Sequence, residues 1–385
     1  MKILVIGGIS RSLLNFRGPL LGAMLAKNHE ILACAGEPQN DIIKRLHQWG
    51  IKFISIHLSR AGMRPWEDLR SFWELFSLMR QFKPDVVLAY TIKPVIWGGI
   101  AARLVGISRV YSLVTGLGYS FVSGNGWRGK IAGFFAAMLY RLSLKNSRRV
   151  FFQNPDDRQE FIGRGLVKRE QCVLVNGSGV DLAHYGLAPL PSAPHFLMIC
   201  RLLADKGVRE YVRAARIIKE RYPEAGFMLA GALDPNPASV SQAELDHWIN
   251  EGVVDYLGVL EDVRPTFENC SVYLLPSYRE GTPRTVLEAM STGRPVISTN
   301  APGCRETIKM PPGQSLDKNS REIVQGENGF LVPVKNVEKL VQAMEQFIVH
   351  PELIEKMGRR SREIAEEKYD VHKVNEVIMR EMGLW

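Results

Sequence analysis

Two carboxylates, two cations and a glycine in the C-terminal half have the types and spacing to hold a phosphorylated, hydroxyl-rich ligand. Glu280 and Glu288, separated by seven residues, stand in Pro276-Ser-Tyr-Arg-Glu-Gly-Thr-Pro-Arg-Thr-Val-Leu-Glu-Ala-Met290, directly after the apolar run Val272–Leu275. Thr282 and Pro283 mark a helix start, an N-cap followed by a residue whose missing N–H costs nothing at the first helical position. Glu280 then lies on the loop and Glu288 on the second turn, too far apart for an acid/base dyad, so each holds a different part of one extended ligand. Free amides of Arg284 and Thr285 at the helix start form an anion site for a diphosphate. Glu288 can accept hydrogen bonds from the vicinal hydroxyls of a ribose. Glu280 is placed nearer the diphosphate and a sugar hydroxyl.

The cations come earlier, in Cys200-Arg201-Leu-Leu-Ala-Asp-Lys206-Gly207. Arginine offers a planar fork and lysine a point charge to phosphate oxygens, and Gly207 lets the backbone approach a phosphate. Together Arg201 and Lys206 can neutralise a departing nucleoside diphosphate without a metal. A magnesium-dependent site would instead call for clustered carboxylates, and the chain has no Asp-x-Asp triplet, Asp156-Asp157 being its only adjacent pair of aspartates.

Such residues must be held at strand ends by a parallel α/β framework. Short β-branched runs alternate with helical patterns at Ile3–Ile6, Glu30–Cys34, Lys52–Ile56, Val86–Ala89, Val110–Leu113, Val150–Gln153 and Cys172–Val175. The alternation restarts at His195–Cys200, Gly226–Ala230, Val253–Leu257, Val272–Leu275, Pro295–Ser298 and Gly329–Val332. The expected organisation is a first Rossmann-like domain over 1–185, a Pro-rich linker over 186–194, a second over 195–365, and a C-terminal helix over 366–385, which analogy alone has crossing back to the first. Ligands of such sheets bind beyond the carboxyl ends of the strands, here between two facing domains.

Length and composition agree: 385 residues, 46% hydrophobic and 23% charged, suit two globular cores. The net charge of +9 is uneven. Positive residues exceed carboxylates by 13 over residues 1–190, and carboxylates exceed positive residues by four over the rest. No carboxylate falls between Asp85 and Asp156, whereas Lys93, Arg103, Arg109, Arg128, Lys130, Arg141, Lys145, Arg148 and Arg149 do. With the apolar stretch Ile131–Tyr140, this basic region favours an anionic membrane surface over nucleic acid. That stretch is too short to span a bilayer. The N-terminus reads as a buried strand rather than a signal peptide, so a cytoplasmic protein, peripheral on the inner face of the plasma membrane, is expected. Cys34, Cys172, Cys200, Cys270 and Cys304 are odd in number and unpaired in spacing, which predicts buried thiols rather than disulfides or zinc.

The motifs Arg201…Lys206-Gly207, Glu280-(x)7-Glu288, Asn176-Gly-Ser-Gly-Val-Asp181 and Asn328-Gly-Phe-Leu-Val-Pro333 together resemble glycosyltransferase family 4. The resemblance implies a GT-B fold of two facing doubly wound domains and retaining transfer from a UDP-sugar, with no metal or other cofactor. It also implies that Arg201 and Lys206 hold the diphosphate, Glu288 the ribose and Glu280 the donor sugar. Tyr90-Thr-Ile-Lys93-Pro, Thr115-Gly-Leu-Gly118 and Phe152-Gln-Asn-Pro-Asp-Asp157 resemble, more narrowly, the bacterial branch that extends undecaprenyl-diphosphate-linked sugars, including N-acetylgalactosaminyl α-1,3-transferases.

The first βα turn, Gly7-Gly8-Ile-Ser-Arg-Ser-Leu-Leu-Asn-Phe-Arg17, is no dinucleotide fingerprint, and its glycines are expected to make room for a sugar or acceptor. Arg17 and Lys93 are candidates for the acceptor's diphosphate, and Thr115, Gly116 and Gly118 for the same cleft. The loop where many relatives carry a catalytic-region histidine here reads Tyr90-Thr-Ile-Lys93. Two rivals remain at this stage: a UDP-N-acetylhexosamine 2-epimerase of similar architecture, and a non-catalytic membrane-surface subunit that binds nucleotide sugar.

Overall fold

The computed structural model describes residues 1–58, 65–116, 127–191, 193–234, 236 and 239–385. The chain divides into two compact units, one of Met1–Ser178 with His372–Trp385 and one of Gly179–Val371.

The first unit runs β1 (Lys2–Ile9), α1 (Ser10–Asn15), α2 (Gly18–Ala26), β2 (Glu30–Gly36), α3 (Asn40–Gln48), β3 (Lys52–Ser55), α4 (Pro65–Phe82) and β4 (Val86–Tyr90). A π-helical turn, Pro94–Gly98, leads into α5 (Gly99–Val105). Then follow β5 (Val110–Val114), α6 (Trp127–Leu144), β6 (Ser147–Phe152), α7 (Pro155–Gly163) and β7 (Cys172–Leu174). The sheet order is β3-β2-β1-β4-β5-β6-β7, every neighbour parallel. Central strands β4 and β5, Val-Val-Leu-Ala-Tyr and Val-Tyr-Ser-Leu-Val, are buried at every residue, as strands covered on both faces must be. The edge strand β3 is largely exposed. At α7, Asn154 caps the helix, accepting from the Asp157 amide at 2.7 Å, with Pro155 at the first helical position.

The second unit runs β8 (His195–Ile199), α8 (Val208–Arg221), β9 (Gly226–Ala230), α9 (Gln242–Asn250), β10 (Asp255–Tyr256) and α10 (Arg264–Glu268). It continues with β11 (Val272–Leu275), α11 (Arg284–Ser291), β12 (Val296–Thr299), β13 (Val324–Gln325), β14 (Gly329–Val332), α12 (Val337–Val349) and α13 (Glu352–Ile364). Its order, β10-β9-β8-β11-β12-β14-β13, repeats the first permutation, with β13 alone antiparallel. In α8 the buried Val208, Tyr211, Val212, Ala215 and Ile218 recur at helical spacing against the sheet. The short β13 has no signal in the sequence, because two residues cannot show a period.

The last helix, α14 (Val371–Met382), belongs to the first unit from His372 onward. Val374, Ile378, Met379 and Met382 enter the same core as Ile3 and Val5 of β1. Arg109 and Tyr111 donate to the Met382 carbonyl at 2.7 and 3.1 Å, satisfying an orphan acceptor of the helix end.

The boundaries differ from expectation. The first break falls at Ser178/Gly179, not 185, and the second at Val371/His372, not 366. Residues 186–194 are no free linker. The buried Arg294 donates to the carbonyls of Ala188 and Pro189 at 2.9 and 2.6 Å, and to that of Phe267 at 2.9 Å, fastening the stretch to the second unit. Prolines there limit the chain's conformations but do not stop its carbonyls from being bound. All five cysteines are free, but only Cys34, Cys270 and Cys304 are buried; Cys172 and Cys200 are partly exposed.

Candidate functional site

The strand order of the second unit reverses between β8 and β11, and the loops leaving these two strands carry the predicted donor residues. The β8 loop ends at Gly207, whose φ of +76° suits glycine and whose absent Cβ would stand 2.2 Å from the Pro276 carbonyl oxygen. Close backbone approach to the β11 loop, rather than to a ligand, is therefore what demands glycine here. The Asp205 carbonyl accepts from the Tyr278 amide at 2.8 Å and the Ser277 hydroxyl at 3.1 Å. Across this seam Lys206 Nζ meets Glu280 Oε1 at 2.5 Å, both side chains mostly shielded. Burial works against the Lys206 ammonium, but the charge and hydrogen bond of Glu280, with Asp205 behind them, outweigh it and raise its pKa. The lysine therefore stays charged through the neutral range. Glu280, expected to reach a sugar hydroxyl, is found holding that cation. Its loop is pinned in turn by its amide to the Pro302 carbonyl at 3.0 Å and by Gly303, φ +80°, lying against its own carbonyl.

Helix α11 starts one residue later than expected. Pro283 is its N-cap, and the Pro283 carbonyl takes the amides of Val286 and Leu287 at 3.1 and 3.4 Å. Thr282, the residue expected there, stands one position before the cap. Glu288 is 5% exposed and lies 2.8 Å from Arg284 Nε one turn back. Burial raises the Glu288 pKa against the opposing effects of Arg284 and a hydrogen bond from Tyr185. Thr285 has its hydroxyl engaged by Tyr273 at 2.7 Å, which anchors the first turn to β11.

Two participants had escaped the sequence reading. Tyr185 lies in a stretch assigned to the other domain, yet its carbonyl accepts from Ser291 at 2.6 Å and its hydroxyl reaches Glu288. Asp234, in the loop after β9, pairs with Arg201 at 2.9 Å. Arg201 is itself largely exposed, so this pair contributes little to stability. The Asn328 motif is structural: its buried side chain accepts from the Lys309 amide and donates to the Thr307 carbonyl, both at 3.0 Å. In the Asn176–Asp181 motif, Gly179 has φ +70° and its Cβ would lie 2.6 Å from the Val371 Cα.

The first unit has its own switch point, between β1 and β4. Gly7 and Gly8 lie inside β1, and a Cβ there would stand 2.4 Å from the Tyr90 hydroxyl and 2.9 Å from Thr91 Oγ1. They make room for side chains of β4 and its loop, not directly for a ligand. Tyr90 and Ser12 share a 2.8 Å hydrogen bond, and burial pushes the Tyr90 phenol up to about 12. Arg17 is buried over the Tyr90 ring at 5.2 Å, with Ser178 Oγ 3.4 Å from Nη1. Lys93 pairs with Asp68 at 2.8 Å. Thr115 and Gly116, φ +142°, close β5, and Gly118 lies outside the described residues. Thr91, which the sequence did not single out, has φ +69°, a strained setting for a β-branched residue.

Two seven-stranded Rossmann-like sheets of one permutation, the second bearing a cation and carboxylate seam at its switch point, define the GT-B class of glycosyltransferase. Two family descriptions match in turn: "Glycosyl transferase 4-like domain" over residues 19–177 and "Glycosyl transferases group 1" over residues 193–350. A Campylobacter jejuni N,N'-diacetylbacillosaminyl-diphospho-undecaprenol alpha-1,3-N-acetylgalactosaminyltransferase is 30% identical over 322 residues, 80% of this chain and 83% of its own. The chain belongs to this family of GT4-like, group 1 glycosyltransferases and is a hexosyltransferase. An Escherichia coli UDP-Gal:alpha-D-GlcNAc-diphosphoundecaprenol alpha-1,3-galactosyltransferase is 25% identical over 72% of this chain and 70% of its own. Among solved structures, Anabaena Alr3699/HepE in complex with UDP and glucose aligns over 100% of this chain and 99% of its own, at 19% identity and TM-score 0.76. Sucrose-phosphate synthase from Thermosynechococcus elongatus aligns over 99% and 98%, at 16% identity and TM-score 0.77.

Proposed function

We propose that the enzyme moves an N-acetylhexosamine such as GalNAc from a UDP-sugar to a saccharide carried on a polyprenyl diphosphate. The work would serve O-antigen, capsule or N-glycan assembly at the cytoplasmic face of the bacterial plasma membrane. The observation that carries the reading is the seam at the second switch point, where Lys206 is held charged by Glu280, on the loop that leads into the helix bearing the buried Glu288. The lipid-linked acceptor draws support from the relatives, whose names specify diphospho-undecaprenol substrates.

In this reading Arg201 and Lys206 face the diphosphate, Glu288 accepts from the ribose hydroxyls, and Glu280 serves both the lysine and the donor sugar. Transfer breaks the bond from the anomeric carbon to the diphosphate oxygen and forms one to the acceptor oxygen on the same face. The acceptor's proton passes to the departing diphosphate, whose charge the two cations stabilise, so that the configuration is retained and no divalent ion is required.

Purified protein incubated with UDP-sugars and a polyprenyl-diphosphate saccharide should yield an extended glycolipid with a retained anomeric centre by NMR, undiminished by EDTA. An isomerised donor would instead show an epimerase, and bound donor without turnover a non-catalytic subunit. Inversion, or loss on EDTA restored by a divalent ion, would sink the mechanism while leaving transfer in place.

A further inference from the structure

We propose that the solvent face shared by α4 and α6 is the surface by which the first unit docks on an anionic lipid bilayer. On α4, Trp66, Leu69 and Trp73 follow one another at helical spacing and are 84%, 44% and 56% exposed. On α6, Phe134, Met138 and Leu142 repeat every fourth residue at 66%, 50% and 44%, with Phe135 beside them at 45%. Both helices lie on one side of the first sheet, where Leu75 and Met79 of α4 and Tyr140 and Leu144 of α6 share a single apolar core. Both also pack against the π-helical turn between them, whose Trp97 ring meets Phe72 of α4 at 6.5 Å. Their inward faces are thus occupied, and the exposed aromatics form a second, outward set.

Charge selects the occupant. Along α6 the apolar stripe runs into exposed Arg141, and exposed Lys145 and Arg148 follow, with exposed Arg103 on α5. Two of the three carboxylates of α4 are drawn away and the third, Glu67, is half-buried: Asp68 is buried on Lys93, and Glu74 binds Arg70 and the His57 amide at 2.9 and 2.7 Å. Tryptophan and other amphipathic rings settle at headgroup depth, and flanking cations are drawn to anionic lipid. No helix of the described residues is long and apolar enough to cross a membrane, so the contact is interfacial. The proposal rests on the reading that the acceptor is lipid-linked and supplies the surface that reading needs.

The full-length protein should float with phosphatidylglycerol/phosphatidylethanolamine vesicles at low salt and be released as salt approaches about 1 M. Trp73→Ser with Phe134→Ser should weaken vesicle partitioning about tenfold or more, and Arg141→Gln with Lys145→Gln about 25-fold. Trp66→Phe with Trp73→Phe should keep flotation but lose most quenching of tryptophan fluorescence by brominated lipid. Transfer to a short, water-soluble acceptor diphosphate should be unchanged in all of them. Absence of flotation at every salt concentration, or flotation equal to wild type in the serine pair, overturns the proposal. So does a dimer of the wild type that the serine pair dissociates, or soluble-acceptor transfer falling in step with flotation. Protein that floats but transfers no sugar would leave this surface standing and defeat only the functional reading.

Discussion

The two switch points share one topology and are furnished in opposite ways. In the second unit, loops from β8 and β11 are locked backbone to backbone and present an ion pair, Lys206 with Glu280, and a buried carboxylate, Glu288. In the first, the ends of β1 and β4 interlock through missing side chains, Gly7 under Tyr90 and Gly8 under Thr91, and present hydroxyls and a strained backbone. The same fold thus furnishes one end with a cation paired to a carboxylate across two loops, and the other with hydroxyls, the buried Arg17 and the Lys93–Asp68 pair. A charged ligand part needs a preorganised cation, whereas a sugar hydroxyl needs short polar side chains held at fixed positions.

The contrast is tested most severely at Lys206. Lys206→Ala should lower kcat about 10²- to 10³-fold at saturating donor, with the fold intact by circular dichroism; a change confined to KM would show that the ammonium binds the ground state only. Gly207→Ala comes next. The added methyl meets the Pro276 carbonyl and the left-handed backbone disfavours it, so a loss of about 2 kcal/mol or more is expected in chemical denaturation. Equal stability would mean that the two loops are not locked as described.

Glu288→Gln should separate function from stability. Donor KM should rise by roughly tenfold, as a charge-assisted ribose contact is lost, while kcat changes less. The folded pKa of Glu288 is raised by burial, so its contribution to stability is complete at acid pH and is lost as pH rises through that raised value. The amide has no such loss. Its melting temperature should therefore exceed that of wild type at pH 8, and the gap should close toward pH 4. A gap that widens toward acid would reverse the assignment. The smallest effect is expected at Thr91. Thr91→Gly removes the Cβ from a left-handed residue and should gain up to about 1 kcal/mol by thermal melting. A loss would show that the contact of Thr91 with Gly8 outweighs its backbone strain.

The framework was largely legible. Every strand expected from β-branched runs exists within a few residues, because buried parallel strands are written as short continuous apolar segments. The residues proposed for the donor stand out for a similar reason: Arg201 to Gly207, and Glu280 to Glu288, are each contiguous at one strand end. What the sequence concealed was pairing across distance. Tyr185 reaches Glu288, Asp234 reaches Arg201 and Asp68 reaches Lys93, and no local pattern announces such meetings. Thr91 was hidden because no local pattern marks a β-branched residue for positive φ, and residues 186–194 were misread because proline content says nothing about which arginine will bind the neighbouring carbonyls.

The path of the chain through the second unit has a practical consequence. Its two ends meet, Val180 bridging Asp370 with amide and carbonyl exchanged through Tyr369 and Val371, while Gly179 nestles on Val371. A polypeptide that enters and leaves a body at one spot is, in topological terms, a cassette. Residues 179–371 could be excised and produced as a free-standing module, and the remaining ends rejoined by a brief spacer, without either fragment losing a strand of its sheet.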